Sequence, residues 1–120
     1  MANVLDKIIE DKKESLKTIK KIYSLDSIET TIKSLNNFLN FKEVIDKNKG
    51  ASLITEIKKA SPSAGELVKD FNHLSIAKMY VDNGATCLSV LTEEKYFLGK
   101  LDYIRDIKDC LLYTSPSPRD

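Results

Sequence analysis

The sequence predicts an α/β protein in which a helical N-terminal extension leads into parallel strands joined by helical crossovers. Three observations predict it. Residues 3–39 carry apolar side chains at helical spacing, the pattern switches near Ala51 to short apolar runs alternating with helical repeats, and Pro, Gly and Asn punctuate the junctions. A strand that returns through a helix pairs in parallel, because only a long connection can bring the chain back to the same end of the sheet.

Leu5, Ile8, Ile9, Leu16, Ile19 and Tyr23 repeat at helical spacing, so the spacing predicts an amphipathic helix over residues 3–22. A second helix is expected to be capped at Asp26 or Ser27 and to carry Ile28, Ile32, Leu35 and Leu39 toward a core, with a ragged end at Asn36 and Asn37. A short segment over residues 41–45 then meets a polar turn over residues 46–50. The run SLITEIK at residues 52–58 reads as a strand, and Pro62 and Gly65 mark residues 60–65 as a loop. Asn72 is placed to cap a helix bearing Leu74, Ala77, Tyr80 and Val81, which Asn83 and Gly84 close. Residues 87–92 form the next strand, residues 93–99 its loop, and Leu101, Ile104 and Ile107 a last helical face.

Composition excludes several classes. The 120 residues carry 19 Lys+Arg against 18 Asp+Glu, a net charge of +1, and 42% hydrophobic residues, as expected of a soluble globular domain. No global charge draws the chain to nucleic acid or anionic lipid. Its apolar runs fall far short of a bilayer-spanning length, and the N-terminus lacks the order of a secretory signal, so a cytoplasmic location is expected. Cys87 and Cys110 lie far apart without metal-ligand spacing, and His73 is the single histidine, which points to no disulfide framework and no metal site. Lys12, Lys13, Lys17, Lys20 and Lys21 could present a basic helix face to an acidic partner, but Glu10, Asp11 and Glu14 dilute it, which favours a solvated helix.

Chemistry concentrates around the first strand. A side-chain period of two puts Ile54, Glu56 and Lys58 on one face and Leu53, Thr55 and Ile57 on the other. An acid and an amine thus point the same way at the carboxyl end of a parallel strand, where α/β barrels and open α/β sheets place their active sites. Spacing alone fits a solvated ion pair on an edge strand equally well. His73, near a helix start and without nearby partners in the sequence, reads as a cap-region or surface residue.

Residues 53–67, LITEIKKASPSAGEL, closely resemble the signature of the indole-3-glycerol-phosphate synthase family, in which an E-x-K strand is followed by a basic residue, a small residue and Ser-Pro-Ser. Residues 89–99, SVLTEEKYFLG, resemble that family's second strand and loop, and Gly84-Ala85 adds a weaker match. The resemblance spans residues 1–109 and implies an incomplete (β/α)8 TIM barrel, its first two strand-helix units preceded by a helical extension. It implies no organic or metal cofactor. The family closes the indole ring of 1-(2-carboxyphenylamino)-1-deoxyribulose 5-phosphate with loss of carbon dioxide and water, so the implied partner is a phosphorylated small molecule.

By the same resemblance Glu56 is the first-strand catalytic carboxylate and Lys58 the amine that holds the anionic substrate in a reactive geometry. Ser61 is the phosphate-side contact and Phe97 the aromatic wall against the anthranilate ring; Ser63, Tyr96 and Lys95 are weaker candidates. The competing enzyme reading is another phosphate-binding barrel in which Lys58 forms a Schiff base. A full barrel needs about 250 residues. The family's general-acid lysine belongs to the third strand, so the chain by itself is expected to be inactive, with exposed sheet edges that favour aggregation. The tail over residues 110–120, CLLYTSPSPRD, could open as a third strand, but it resembles a translated sequencing adapter and is read as a non-native tail.

Overall fold

A computed structural model describes residues 3–36 and 38–114, with side chains described up to Leu111; Asn37 and the Ser-Pro stretch of the tail lie outside the described residues. The chain divides into two units, residues 1–39 and 40–120.

In the first unit, α1 spans Val4–Ile22. Asn3 caps it reciprocally: its Oδ1 accepts the Asp6 N–H at 2.9 Å and Asp6 Oδ2 accepts the Asn3 N–H at 3.2 Å. Helix α2 runs Leu25–Ser34 and is capped by Ser24, whose Oγ accepts the Ser27 N–H at 3.1 Å. The cap therefore precedes the expected Asp26 or Ser27, and Asp26 instead places its negative charge in the first turn, where the helix dipole favours it. The helix also stops earlier than its apolar spacing suggests, since Leu35 is extended at φ −86° and ψ 139°. Hydroxyls of Thr30, Thr31 and Ser34 bond back to main-chain carbonyls along the last turns, a competition that disfavours long helices. Neither helix buries a residue, so the expected core-facing role of Ile28, Ile32, Leu35 and Leu39 is not realised; Leu39 is 77% exposed.

The second unit begins with α3, Phe41–Lys47, which takes in the start of the expected turn. Asn40 caps it, and two (i, i+4) ion pairs, Lys42 with Asp46 and Glu43 with Lys47, brace its exposed face. Strand β1, Ile54–Ile57, pairs in parallel with β4, Cys87–Val90, in the register Ile54 to Cys87, Thr55 to Leu88, Glu56 to Ser89 and Ile57 to Val90. Between them the expected loop closes into a small antiparallel hairpin, β2 (Ala60–Ser61) with β3 (Gly65–Glu66). Gly65 makes this possible at φ +67°. Helix α4, His73–Asp82, is capped by Asn72 as the sequence predicts, and Gly84 at φ +98° turns the chain into β4.

Helix α5, Asp102–Thr114, completes the unit. It starts after Leu101, which is 72% exposed; of the expected face Ile107 is buried, while Leu101 and Ile104 are exposed and Tyr103, Cys110 and Leu111 turn inward with Ile107 instead. The helix continues through residues 110–114, so the alternative of a third strand there is overturned. Ile57, Ala77 and Ile107 form the buried centre, with Phe71, Leu74, Ile76, Tyr80, Leu88, Val90 and Leu111 packed around it. Among the described residues the parallel sheet has two strands and no closed barrel, and no helix is long and apolar enough to cross a membrane.

Candidate active site

Strand β1 presents two different faces by alternation. Ile57 is 1% exposed and packs beneath α4 and α5, while Glu56 faces away from that core. Lys58 follows on the Glu56 side, and its Nζ lies 2.8 Å from Glu56 Oε1, with the lysine side chain 32% and the glutamate 47% exposed. The two residues that the E-x-K spacing placed on one face are thus in direct contact. Across the register Ser89 pairs with Glu56, so a hydroxyl side chain stands beside the acid on the same face.

The parallel register brings the exits of both strands to one end of the sheet. The Leu91 N–H donates to the Ile57 carbonyl at 3.1 Å, extending the ladder to the point where both loops begin. From β1 the chain enters the Ser-Pro-Ser hairpin. Ser61 is half-buried; its Oγ accepts the Ala64 N–H at 3.2 Å and lies 3.5 Å from Ser63 Oγ. Both serines therefore shape the turn. A shallow depression of about 350 Å3 lined by Asn40, Lys42, Glu43, Asp46 and Lys47 includes none of the four candidate residues.

From β4 the chain enters the loop that carries Phe97, and here the structure adds a residue that the sequence did not single out. The Glu93 carboxylate accepts three successive main-chain N–H groups, from Lys95 at 2.9 Å, Tyr96 at 2.7 Å and Phe97 at 3.0 Å. The Glu93 carbonyl also accepts the Gly99 N–H at 2.8 Å. An acid at the head of a short loop of non-proline residues is the only signal in the sequence, and it is a weak one. Tyr80 is a second addition: read as a core residue, it donates its phenol proton to the Glu56 carbonyl at 3.1 Å and so ties α4 to the acid-bearing strand.

His73 opens α4 directly after the Asn72 cap, as the cap-region reading has it, but its side chain is 18% exposed and engaged rather than free at the surface. Its Nε2 lies 2.9 Å from Asp106 Oδ2 and its ring stacks on Tyr103 at 4.2 Å, joining α4 to α5 beside Phe71. Asp106 is 33 residues away in the chain, which is why spacing could not reveal the pair. Among the described residues no three His, Cys, Asp or Glu side chains gather as metal ligands would.

A parallel strand pair joined by a helical crossover, with an acid–amine couple and a hydroxyl-bearing turn at its carboxyl end, is an arrangement of the α/β class, whose sites lie at the carboxyl ends of the strands. The model of the family described as indole-3-glycerol phosphate synthase matches residues 5–116. The chain belongs to that family. It is 47% identical over 107 residues to the indole-3-glycerol phosphate synthase of Clostridium acetobutylicum, covering 88% of this chain and 40% of the relative. The enzymes of the same name from Desulforamulus reducens and Alkaliphilus metalliredigens are 41% and 42% identical over 105 residues, again covering 88% of this chain and 40% of each relative. The chain therefore spans about 40% of the length of the curated relatives it matches.

Proposed function

We propose that this chain supplies the first two strand-helix units, with the helical extension, of a cytoplasmic indole-3-glycerol phosphate synthase with the (β/α)8 barrel fold, a carboxy-lyase of tryptophan biosynthesis. The substrate is 1-(2-carboxyphenylamino)-1-deoxyribulose 5-phosphate, and the product indole-3-glycerol phosphate forms with release of carbon dioxide and water. The observation that carries this reading is the 2.8 Å contact between Glu56 and Lys58 on the face of β1 turned away from the helices. Barrel enzymes place reacting groups at the carboxyl ends of their strands, on the face that the surrounding helices leave free.

Each candidate residue has chemistry suited to its role. Lys58, a compact cation on a flexible stem, binds the substrate carboxylate and holds the aromatic ring over the ketone-derived carbon, where the new bond forms. Glu56 balances that charge and orients the amine; release of carbon dioxide restores the benzene ring, and the ionised carboxylate can take the proton lost as water leaves and the indole double bond forms. Ser61 donates its hydroxyl proton to the phosphate, from a turn that Pro62 stiffens and that therefore loses little entropy on binding. Phe97 stacks on the anthranilate ring and excludes water, a contact worth on the order of 0.5–1.5 kcal/mol beyond area burial. The general acid belongs to the family's third strand, so residues 1–120 alone form no product. The adapter-like run over residues 110–120 is proposed as non-native, although α5 and the family match both extend into it; reading the codons that follow Asp109 in the source DNA tests this.

A chimera tests the activity. Residues 1–109 replace the matching segment of the Clostridium acetobutylicum relative, and indole-3-glycerol phosphate formation is followed. The chimera is expected to turn over, with Lys58→Ala lowering kcat/KM roughly a hundredfold or more, as loss of a preorganised electrostatic contact does. A folded chimera that makes no product, or one indifferent to Lys58→Ala, would overturn the assignment. Borohydride trapping of a substrate adduct on Lys58 would favour the Schiff-base alternative instead.

A further inference from the structure

We propose that Glu93 is the positioning residue of the aromatic wall: its carboxylate gathers the loop after β4 and thereby holds Phe97 in place. This inference rests on the substrate-binding role proposed for Phe97. The loop has no regular secondary structure of its own, and one side chain binds three of its main-chain N–H groups. Oε1 of Glu93 takes the Lys95 N–H, and Oε2 takes those of Tyr96 and Phe97, at 2.7–3.0 Å. An ionised carboxylate has acceptor sites enough for all three, and such charge-assisted bonds are shorter and stronger than neutral ones. Successive N–H groups converging on one anion form the same concavity that proteins use to hold phosphate, filled here from within the chain.

Two further features show that the loop is held rather than merely folded. Leu98, directly after Phe97, has φ +53°, a left-handed conformation that a leucine adopts only when its surroundings impose it. Gly99 then closes the loop against the strand, its N–H on the Glu93 carbonyl and its α-carbon so close to β4 that a Cβ would stand 2.1 Å from the Leu91 carbonyl oxygen. Glu93 thus grips both ends of the segment, by its side chain at residues 95–97 and by its carbonyl at Gly99. Both carboxylate oxygens are engaged by main-chain donors, which makes Glu93 a holder of Phe97 rather than another proton-transfer group at the site.

The test is a double-mutant cycle in the active chimera. Glu93→Gln keeps the shape but turns an amide NH2 toward the loop N–H groups; it is expected to raise KM about tenfold and leave kcat within about threefold. Glu93→Asp, which keeps the charge one carbon shorter, is expected to recover part of that loss. In a Phe97→Ala background the Glu93→Gln effect is expected to disappear, because the ring it positions is gone. Full additivity of the two substitutions would overturn the proposal. Hydrogen exchange over residues 95–97 is read in the same proteins and does not depend on turnover: exchange at least tenfold faster in Glu93→Gln is expected, and unchanged exchange would overturn the clasp. An inactive chimera in which that exchange still responds would refute the enzymatic assignment and leave the clasp standing.

Discussion

At the scale of single residues, the site depends on a few positions that admit almost no substitution. Gly99 is the sharpest case, since a methyl group there would collide with main-chain atoms of Leu91 and Thr92 that cannot swing aside. Gly99→Ala is expected to cost about 2–4 kcal/mol, the range of severe overpacking and backbone displacement, measured as a lowered urea midpoint in the chimera. Thr55 lies at the opposite extreme. Its hydroxyl is buried on the helix side of β1 and has no hydrogen-bond partner among the described residues. Replacing it with the near-isosteric valine is expected to stabilise the protein by about 1 kcal/mol, because an unsatisfied polar group is removed and the packing retained. A lower melting temperature for Thr55→Val would contradict this account.

At the scale of elements, what the sequence made legible was local, and what it hid was nonlocal. Caps at Asn72 and Gly84, the two faces of β1 and the Glu56–Lys58 couple all follow from spacing of a few residues, and all stand in the structure. The inward stripe of α5, the Tyr80 bond to β1 and the His73–Asp106 pair depend on which neighbour the fold brings near, which periodicity does not encode. Helix α3 was missed because it is short, and its two ion pairs rather than an apolar stripe support it. There the hydrogen bond from Lys47, aided by its positive charge, holds the Glu43 carboxyl below its ordinary value of 4.5. A lowered folded-state value means that this support is present above pH 4.5 and is lost as pH falls through the lower folded value. Backbone carbon shifts of residues 41–47 are therefore expected to lose helical character on acidification, and to a lesser degree in high salt, before those of α4 do.

At the scale of the whole molecule, few of the described residues are buried. Among the described residues the buried apolar ones are Ile57, Ala60, Ala77, Ala85 and Ile107, three of them alanines, while Ile9, Ile22, Leu25 and Phe41 are exposed. Both outer edges of the β1–β4 pair also lack a neighbouring strand among the described residues. Such a polypeptide is expected to unfold broadly and to associate with rising concentration through apolar faces and free strand edges; sedimentation across a hundredfold concentration range reads this directly, and a sharp, concentration-independent monomer would refute it. The alternation along β1 has a different consequence. Positions that pack into the core and positions that face away from it interleave along the strand, so every second letter can be rewritten for new chemistry while the foundation stays as it was. A designer wishing to give this piece of protein new chemistry should begin on the outward face, where Glu56 and Lys58 stand, and leave Ile57 alone.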